Sequence, residues 1–95
     1  MAERAFYVLA YDITDDRRRA KIAKLMEAQG ERVQGSVFEA YLTTAELDKL
    51  LAKVGKALAP KEDGLRVYQL CSECRGKVRT VGVSQVTPPP GVKIV

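Results

Sequence analysis

Phe6-Tyr7-Val8-Leu9-Ala10-Tyr11-Asp12-Ile13-Thr14-Asp15-Asp16-Arg17-Arg18-Arg19 is the stretch around which the rest of the chain is organised. The seven residues 5–11 are all apolar or aromatic, a run too short to span a membrane and without a helical stripe. Their β-branched and aromatic side chains predict a strand buried on both faces. The strand ends on the carboxylate of Asp12, and a helix with three arginines follows, which indicates phosphate chemistry. The alternative is that Asp12 only forms an Asx-turn into the helix.

Composition limits the class of protein. A chain of 95 residues makes one domain with a modest core, and its 46% hydrophobic content excludes a disordered chain. The net charge of +4 favours a polyanionic partner. Histidine is absent, which excludes histidine-based acid–base catalysis and histidine-ligated metal sites. No targeting segment or transmembrane run is visible, so we expect a cytoplasmic protein without a membrane partner.

A first helix is predicted after the strand. Thr14, Asp15 and Asp16 supply its N-cap and first-turn acids, and Gly30 is predicted to end it as the C′ residue. Its apolar positions recur with helical spacing. They are Ile22, Leu25, Met26 and Gln29.

The helix also carries a basic cluster at its start. Arg17 and Lys21 project to the solvent side, and Arg18 and Arg19 lie at its opening edges. A cation in the first turn of a helix interacts unfavourably with the helix dipole, and each arginine there destabilises the helix by roughly 0.3 kcal/mol or more. We expect residues 17–19 to contact phosphate. Because Asp15 and Asp16 offset part of this cost, a simply solvated face is the alternative.

Residues 32–42 are strand-like, but their alternation changes phase at Gly35-Ser36. The change predicts either a bulge or two short strands joined tightly, and both alternatives stay open. A second helix follows, in which Thr43 and Glu46 form a capping box and Leu42 and Leu47 a hydrophobic staple. Its buried stripe is predicted to comprise Leu47, Leu50, Leu51, Val54 and Leu58, with Pro60 ending the helix.

The remaining chain is predicted as a turn at residues 61–64, a strand at 65–70 and a further strand near 78–83. Pro88-Pro89-Pro90 is a stiff extended spacer. Residues 92–95 form a short apolar strand candidate.

Cys71 and Cys74 form one C-x-x-C pair. Zinc needs four ligands, and the pair supplies two. A redox C-x-x-C normally begins a helix after a strand, whereas here Gly76 and a predicted strand follow. Two pairs meeting across a dimer, or a disulfide within the loop, are alternatives. We predict free thiols that are dispensable for binding of metal and nucleic acid.

The order strand, helix, broken strand, helix, strand predicts an α+β fold. It suits a ferredoxin-like βαββαβ sandwich, in which both helices cover one face of an antiparallel sheet. The predicted domain covers residues 1–87, and residues 88–95 supply the spacer and an extra C-terminal strand that pairs with a partner protomer. The uncovered sheet face favours dimerisation or RNA stacking.

These motifs resemble the family of CRISPR-associated protein two (Cas2). The resemblance lies in Tyr11-Asp12-Ile13-x-Asp15-Asp16, Arg17-Arg18-Arg19-x-Lys21, Gly30 and Arg32-Val33-Gln34-x-Ser36-Val37-Phe38-Glu39. It covers about residues 5–70, and the combination is specific. The region from Cys71 onward matches only in kind.

The resemblance implies a homodimer in prokaryotic adaptive immunity. Asp12 of each protomer would face its symmetry mate and hold a divalent metal, Mg²⁺ or Mn²⁺. Members are described as metal-dependent endonucleases of single-stranded RNA or double-stranded DNA. They also bridge copies of CRISPR-associated protein one, the integrase that inserts new spacers.

The resemblance also implies roles for single residues. Tyr11, Arg19, Arg32 and Phe38 fall at motif positions beside the catalytic Asp12. The nucleic-acid-binding residues would be Arg17, Arg18, Arg19, Lys21 and Arg32. Lys21 replaces an arginine of some relatives and loses its bidentate fork.

Three hypotheses for the function of this chain therefore remain. A slow endonuclease requires the dimer, because one Asp12 per chain is too few for a two-metal site and no second base is evident. A non-catalytic scaffold of the integration complex does not require Asp12. A small-molecule regulator leaves the arginine cluster unexplained.

Overall fold

The helices and strands follow the predicted order from the first strand to the fourth. The computed structural model describes residues 3–82 and 86–89. The elements are β1 (Ala5–Asp12), α1 (Asp16–Glu27), β2 (Glu31–Gln34), β3 (Val37–Leu42), α2 (Thr44–Ala57), β4 (Gly64–Leu70) and α3 (Ser72–Gly76).

The four strands form one sheet in the order β2-β3-β1-β4, and every neighbouring pair is antiparallel. Tyr7, Leu9 and Tyr11 of β1 pack with α1 and α2 in the core. The core is completed by the other buried side chains, among them Ile22, Met26, Phe38, Leu42, Leu50 and Val54. The predicted α+β ferredoxin-like sandwich is confirmed, with β1 at the centre of its sheet.

Alternate residues of β1 point to the opposite side of the sheet, which we call the helix-free face. Phe6, Val8, Ala10 and Asp12 lie on it, together with their register partners on β3 and β4. The prediction that this face is entirely uncovered is wrong for its β3 half. There the backbone N–H and the hydroxyl of Thr87 donate to one oxygen of Glu39 at 2.9 and 2.6 Å. The hydroxyl of Tyr41 donates to the Thr87 carbonyl at 2.9 Å.

Gly30 has a different role from the one predicted. The α1 helix begins at its N-cap Asp15 but ends at the C-cap Ala28, and Gly30 does not have a positive φ. A Cβ at Gly30 would lie 2.4 Å from the carbonyl oxygen of Glu39 and 2.8 Å from the Cβ of Ala40. Glycine is therefore needed because the chain passes directly against β3.

The strand-like residues 32–42 divide into β2 and β3, joined by the turn at Gly35 and Ser36. The register also shifts between Arg32 and Gln34, where β2 pairs with β3 irregularly. Both of the open alternatives are therefore present, a tight connection and a bulge.

The capping box of α2 is confirmed. The hydroxyl of Thr43 accepts from the backbone N–H of Glu46 at 3.1 Å, and the Glu46 carboxylate accepts from the backbone N–H of Thr43 at 2.8 Å. The last helical residue is Ala57, three positions before Pro60. Among the described residues no helix combines the length and the apolar character needed to cross a bilayer.

The chain after β4 departs from prediction. A short helix, α3, begins with Cys71 as its N-cap, and residues 78–82 form no strand. This segment pairs with no strand of the described sheet, whose order is β2-β3-β1-β4. Val78 and Val81 are instead exposed, at the rim of a depression that Val33 and Val37 also line. The predicted strand at 92–95, position 83 and Pro90 lie outside the described residues.

Candidate active site at the end of the first strand

Asp12 is the last residue of β1 and its side chain is exposed. The register pairs it with Gly64 of β4, so no side chain stands opposite the carboxylate. Since Asp12 belongs to the helix-free face, its oxygens are open to a ligand or to a second protomer on that side.

A cleft of about 590 Å³ adjoins Asp12. The turn that precedes β4 forms its other wall, including Lys61, Glu62 and Asp63. Arg66 also lines the cleft, and its register partner Ala10 places it on the helix-free face. The cleft therefore combines an exposed carboxylate with two cations, the charge pattern that suits a phosphodiester.

Lys61 and Arg66 could not be assigned to the site from the sequence pattern. Residues 61–64 have only the pattern of a turn, and the alternation of residues 65–70 gives Arg66 a face but not a neighbour. The pairing of β1 with β4 supplies that neighbour, because it places Arg66 beside the end of β1. The register that identifies Arg66 is a property of the folded sheet and is not visible in the sequence pattern.

Tyr11 and Phe38 support the strand end from inside the core. Phe38 is fully buried, and its ring stacks on Tyr11 with centroids 6.2 Å apart. The Tyr11 hydroxyl donates to the carbonyl of Gly35 at 3.0 Å, and its backbone N–H donates to the carbonyl of Ser36 at 3.0 Å. The two aromatic residues thus tie the β2–β3 turn to the strand that carries Asp12.

Arg19 holds the loop that follows Asp12. Its guanidinium donates to the carbonyl oxygens of Ile13 and Thr14 at 3.1 and 3.4 Å. It also pairs with the carboxylate of Asp16. Arg19 therefore fixes the chain leaving β1 and uses much of its donor capacity within the loop.

Arg18 joins α1 to the wall of the cleft. Its guanidinium donates to Asp63 at 2.7 and 3.3 Å and to Glu62 at 3.0 Å. The Asp63 side chain is 0% exposed and also accepts from the backbone N–H of Ala59 at 3.0 Å. The hydrogen bond from Arg18, and then that from Ala59, lowers the pKa of the Asp63 carboxyl. Arg18 thus stabilises the fold by joining α1 to the turn before β4, whereas the other cations of α1 that face solvent make no such contact within the described part of the chain.

Arg17, Lys21 and Arg32 present charge to solvent. In residues 3–82 and 86–89, neither Arg17 nor Lys21 forms a salt bridge, and both are exposed. Arg32 pairs with Glu27 at 3.1 Å and lies 5.2 Å from the centroid of Phe38. The structure therefore connects Arg32, Phe38 and Tyr11 in one stack, while Arg17 and Lys21 stand on the outer surface of α1.

The acids around the cleft meet part of what a divalent cation needs. Within the part of the chain that the structure describes, no three acidic or cysteine side chains cluster closely enough to hold a metal. Glu62 and Asp63 are both paired with Arg18, which leaves Asp12 as the one acid among the described cleft residues without a salt bridge. A carboxylate oxygen suits Mg²⁺ or Mn²⁺, so the donor type fits and a second Asp12 would complete a pair.

The fold and the site together define a class, a small ferredoxin-like protein with an exposed strand-end carboxylate bordered by cations. Residues 5–78 match the model of one family, described as CRISPR associated protein Cas2. The chain belongs to this family, as its motifs indicated.

Individual relatives and solved structures are similar to this chain over most of its length. The chain is 45% identical over 89 residues to the CRISPR-associated endoribonuclease Cas2 3 of Synechocystis, covering 94% of this chain and 97% of the relative. A crystal structure of a hypothetical protein from Thermus thermophilus aligns with a TM-score of 0.79 and 41% identity, over 87% of this chain and 96% of that one. A chain of a partial Cas6-RT-Cas1–Cas2 complex aligns with a TM-score of 0.75 and 26% identity, over 96% and 99% of the two chains.

Proposed function

We propose that this protein is a metal-dependent endonuclease of a CRISPR system that acts during spacer acquisition. The observation that carries the proposal is the exposed Asp12 carboxylate at the end of β1, beside a cleft that also contains Lys61 and Arg66. The name endoribonuclease, given to the Synechocystis relative, supports single-stranded RNA as the first substrate to test. Double-stranded DNA is the second. Since both substrates occur in the cytoplasm of a prokaryotic cell, we infer that the proposed activity takes place there.

The active unit in this proposal is a homodimer. Among the described residues, one protomer offers the cleft a single carboxylate without a salt bridge, that of Asp12. Mg²⁺ is usually held by one or two carboxylates with several waters. Two Asp12 side chains meeting across a two-fold axis would complete such a site. Because Asp12 lies on the helix-free face, this face is the surface through which the protomers would meet.

The residues of the proposed site divide into binding and positioning groups. A divalent cation held by the Asp12 pair would supply an activated water and stabilise charge on the phosphate. In this proposal the exposed cations Arg17, Lys21, Lys61 and Arg66 bind the sugar–phosphate backbone. Arg19 fixes the loop after Asp12, and the stack of Arg32, Phe38 and Tyr11 fixes the strand end.

A second candidate function is a non-catalytic scaffold for the integrase. The chain has no histidine, and among the described residues that line the cleft no acid besides Asp12 is unpaired and could serve as a second acid or base. The similar Cas6-RT-Cas1–Cas2 complex contains Cas1 together with Cas2, which supports Cas1 as a partner of this chain. In this function the cations of α1 bind DNA, and Asp12 is dispensable.

The two functions are separated by the variant Asp12→Ala. We expect it to lower Mg²⁺-dependent cleavage of labelled single-stranded RNA and double-stranded DNA by at least about 100-fold, because it removes the metal ligand. Fold and nucleic-acid binding should stay near wild type. Cleavage is followed on denaturing gels with Mg²⁺, with Mn²⁺ and with chelator, and spacer integration with the integrase is measured in parallel.

Asp48→Ala is the matched control, since Asp48 is an exposed acid on α2 far in sequence from the cleft. It should cleave at the wild-type rate. If Asp12→Ala cut as fast as this control, the cleavage would come from elsewhere and the scaffold function would replace the nuclease.

A further inference from the structure

The C-x-x-C pair has a geometry that the sequence pattern did not predict. Cys71 is the N-cap of α3, which begins directly after β4, so the pair does begin a helix after a strand. The backbone N–H of Cys74 donates to the Sγ of Cys71 at 3.3 Å. Both cysteines are exposed free thiols. The objection to redox chemistry, that a strand follows the pair, therefore does not hold.

The helix that carries the pair is anchored to the sheet. Arg75, directly after Cys74, donates to the Tyr41 hydroxyl at 2.7 Å, and its guanidinium lies 5.7 Å from the centroid of the Tyr41 ring. Tyr41 packs in turn on Phe6, with centroids 5.0 Å apart. A helix as short as α3 is thus held in place by contacts outside itself, made by the residue next to Cys74.

We propose that Cys71 and Cys74 of one protomer form a reversible dithiol–disulfide pair that exchanges with low-molecular-weight disulfides such as oxidised glutathione. This modification site is independent of the proposed nuclease activity. Zinc does not suit the pair, because zinc needs four ligands and the described residues contain no group of three acidic or cysteine side chains that could hold a metal.

The exchange proceeds in two balanced steps. The Cys71 thiolate attacks one sulfur of the small disulfide, which forms a mixed disulfide and releases one small thiolate. Cys74 then loses its proton, and its sulfur attacks the Cys71 sulfur and displaces the second small thiolate. The protein gives up two electrons and two protons, and the small disulfide is reduced to two thiols.

The environment assigns the first attack to Cys71. Its sulfur accepts hydrogen bonds from the backbone N–H and the thiol of Cys74, and these bonds lower the pKa of the Cys71 thiol. The same thiol hydrogen bond raises the pKa of Cys74. Cys71 is therefore the attacking thiol, and Cys74 resolves the mixed disulfide.

The test equilibrates the reduced full chain with mixtures of oxidised and reduced glutathione, quenches it with acid, and labels free thiols with a maleimide before intact mass measurement. The wild type should lose both thiols in one transition and carry no glutathione. The ratio of oxidised to reduced glutathione at which half of the chains carry the Cys71–Cys74 disulfide should be at least about threefold lower for the folded chain than for the same chain in guanidinium chloride. The reason is that folding preorganises the two cysteines.

Two single variants test the order of attack. Cys74→Ser should accumulate one stable glutathione adduct, at a rate about fivefold above that of Cys71→Ser, because the rate follows the thiolate fraction. The double serine variant is the control without exchange. Glutathione adducts on the wild type without an internal disulfide, disulfides between chains, or equal closure in the folded and unfolded chain would each overturn the proposal.

Discussion

Glu46 has the largest resolved displacement of a carboxyl pKa among the described residues. Its carboxylate accepts from the Arg4 guanidinium at 3.1 and 3.2 Å and from the backbone N–H of Thr43 at 2.8 Å. The hydrogen bond from Arg4, and then that from Thr43, lowers the Glu46 pKa from 4.5 to about 2. The unfolded chain binds this proton more readily, so Glu46 stabilises the fold fully above pH 4.5, and this contribution is lost as the pH falls towards 2.

Glu46→Gln should therefore flatten the acid side of the stability profile. Between pH 4.5 and about 2, the free energy of unfolding should fall less steeply in the variant than in the wild type, because glutamine does not titrate. Urea unfolding followed by circular dichroism at stepped pH measures this slope. Asp48→Asn on the same helix is the control and should keep the wild-type slope. Parallel profiles for Glu46→Gln and the wild type would contradict this account of Glu46.

At the scale of single residues, the sequence predicted those parts of the site that depend on local pattern. Asp12 could be found because it ends an apolar run. Arg17 and Arg18 look equivalent in the sequence, yet the partner of Arg18, Asp63, lies 45 positions away. Only the packing of α1 against the turn before β4 separates a structural arginine from its solvent-facing neighbour.

Because α1 carries both kinds of cation, it permits a matched comparison of Arg17 and Arg18. Arg17→Ala should weaken binding to RNA and DNA alike and reduce the log–log salt slope by roughly one for each phosphate that the variant no longer neutralises. The free energy of unfolding of this variant should stay within about 0.5 kcal/mol of the wild-type value, because Arg17 is exposed. Arg18→Ala should lower the melting temperature, because it leaves the buried Asp63 carboxylate without its cation.

Fluorescence anisotropy of a labelled oligonucleotide over a range of salt concentrations measures the slope, and calorimetry measures the melting temperature. Lys53→Ala, an exposed lysine on α2, serves as the control for loss of net charge. The assignment of Arg18 to the fold would be wrong if Arg18→Ala melted like the wild type and reduced the salt slope as much as Arg17→Ala.

At the scale of elements, success depended on how local the signal was. The capping box of α2 lies within four residues and was predicted correctly. Residues 78–83 have a strand pattern, but a strand also needs backbone partners, and residues 78–82 find none in this protomer. The C-x-x-C helix was missed for a related reason, since a turn as short as α3 depends on its anchor, Arg75 on Tyr41.

At the scale of the whole molecule, the helix-free face is covered unevenly. Thr87 and its neighbours cover the β3 half through Glu39 and Tyr41. On the β4 half, Tyr68 is 46% exposed, and its hydroxyl accepts from Arg66 at 3.2 Å. An exposed aromatic side chain on the same face as Asp12 is typical of a surface that a partner completes.

The last prediction concerns the homodimer that the proposed function requires. Tyr68→Glu should weaken self-association at least about tenfold, since it places a charge where apolar surface would be buried. Asp12→Ala should associate as tightly as the wild type or more tightly, because two carboxylates that approach across the axis repel each other until a cation lies between them. Lys53→Glu, which introduces the same residue on the outer side of α2, should leave association unchanged. Sedimentation equilibrium at micromolar concentrations measures all four proteins. A wild type that stays monomeric there would remove the shared Asp12 site on which the proposed metal-dependent cleavage depends, and would contradict the proposal.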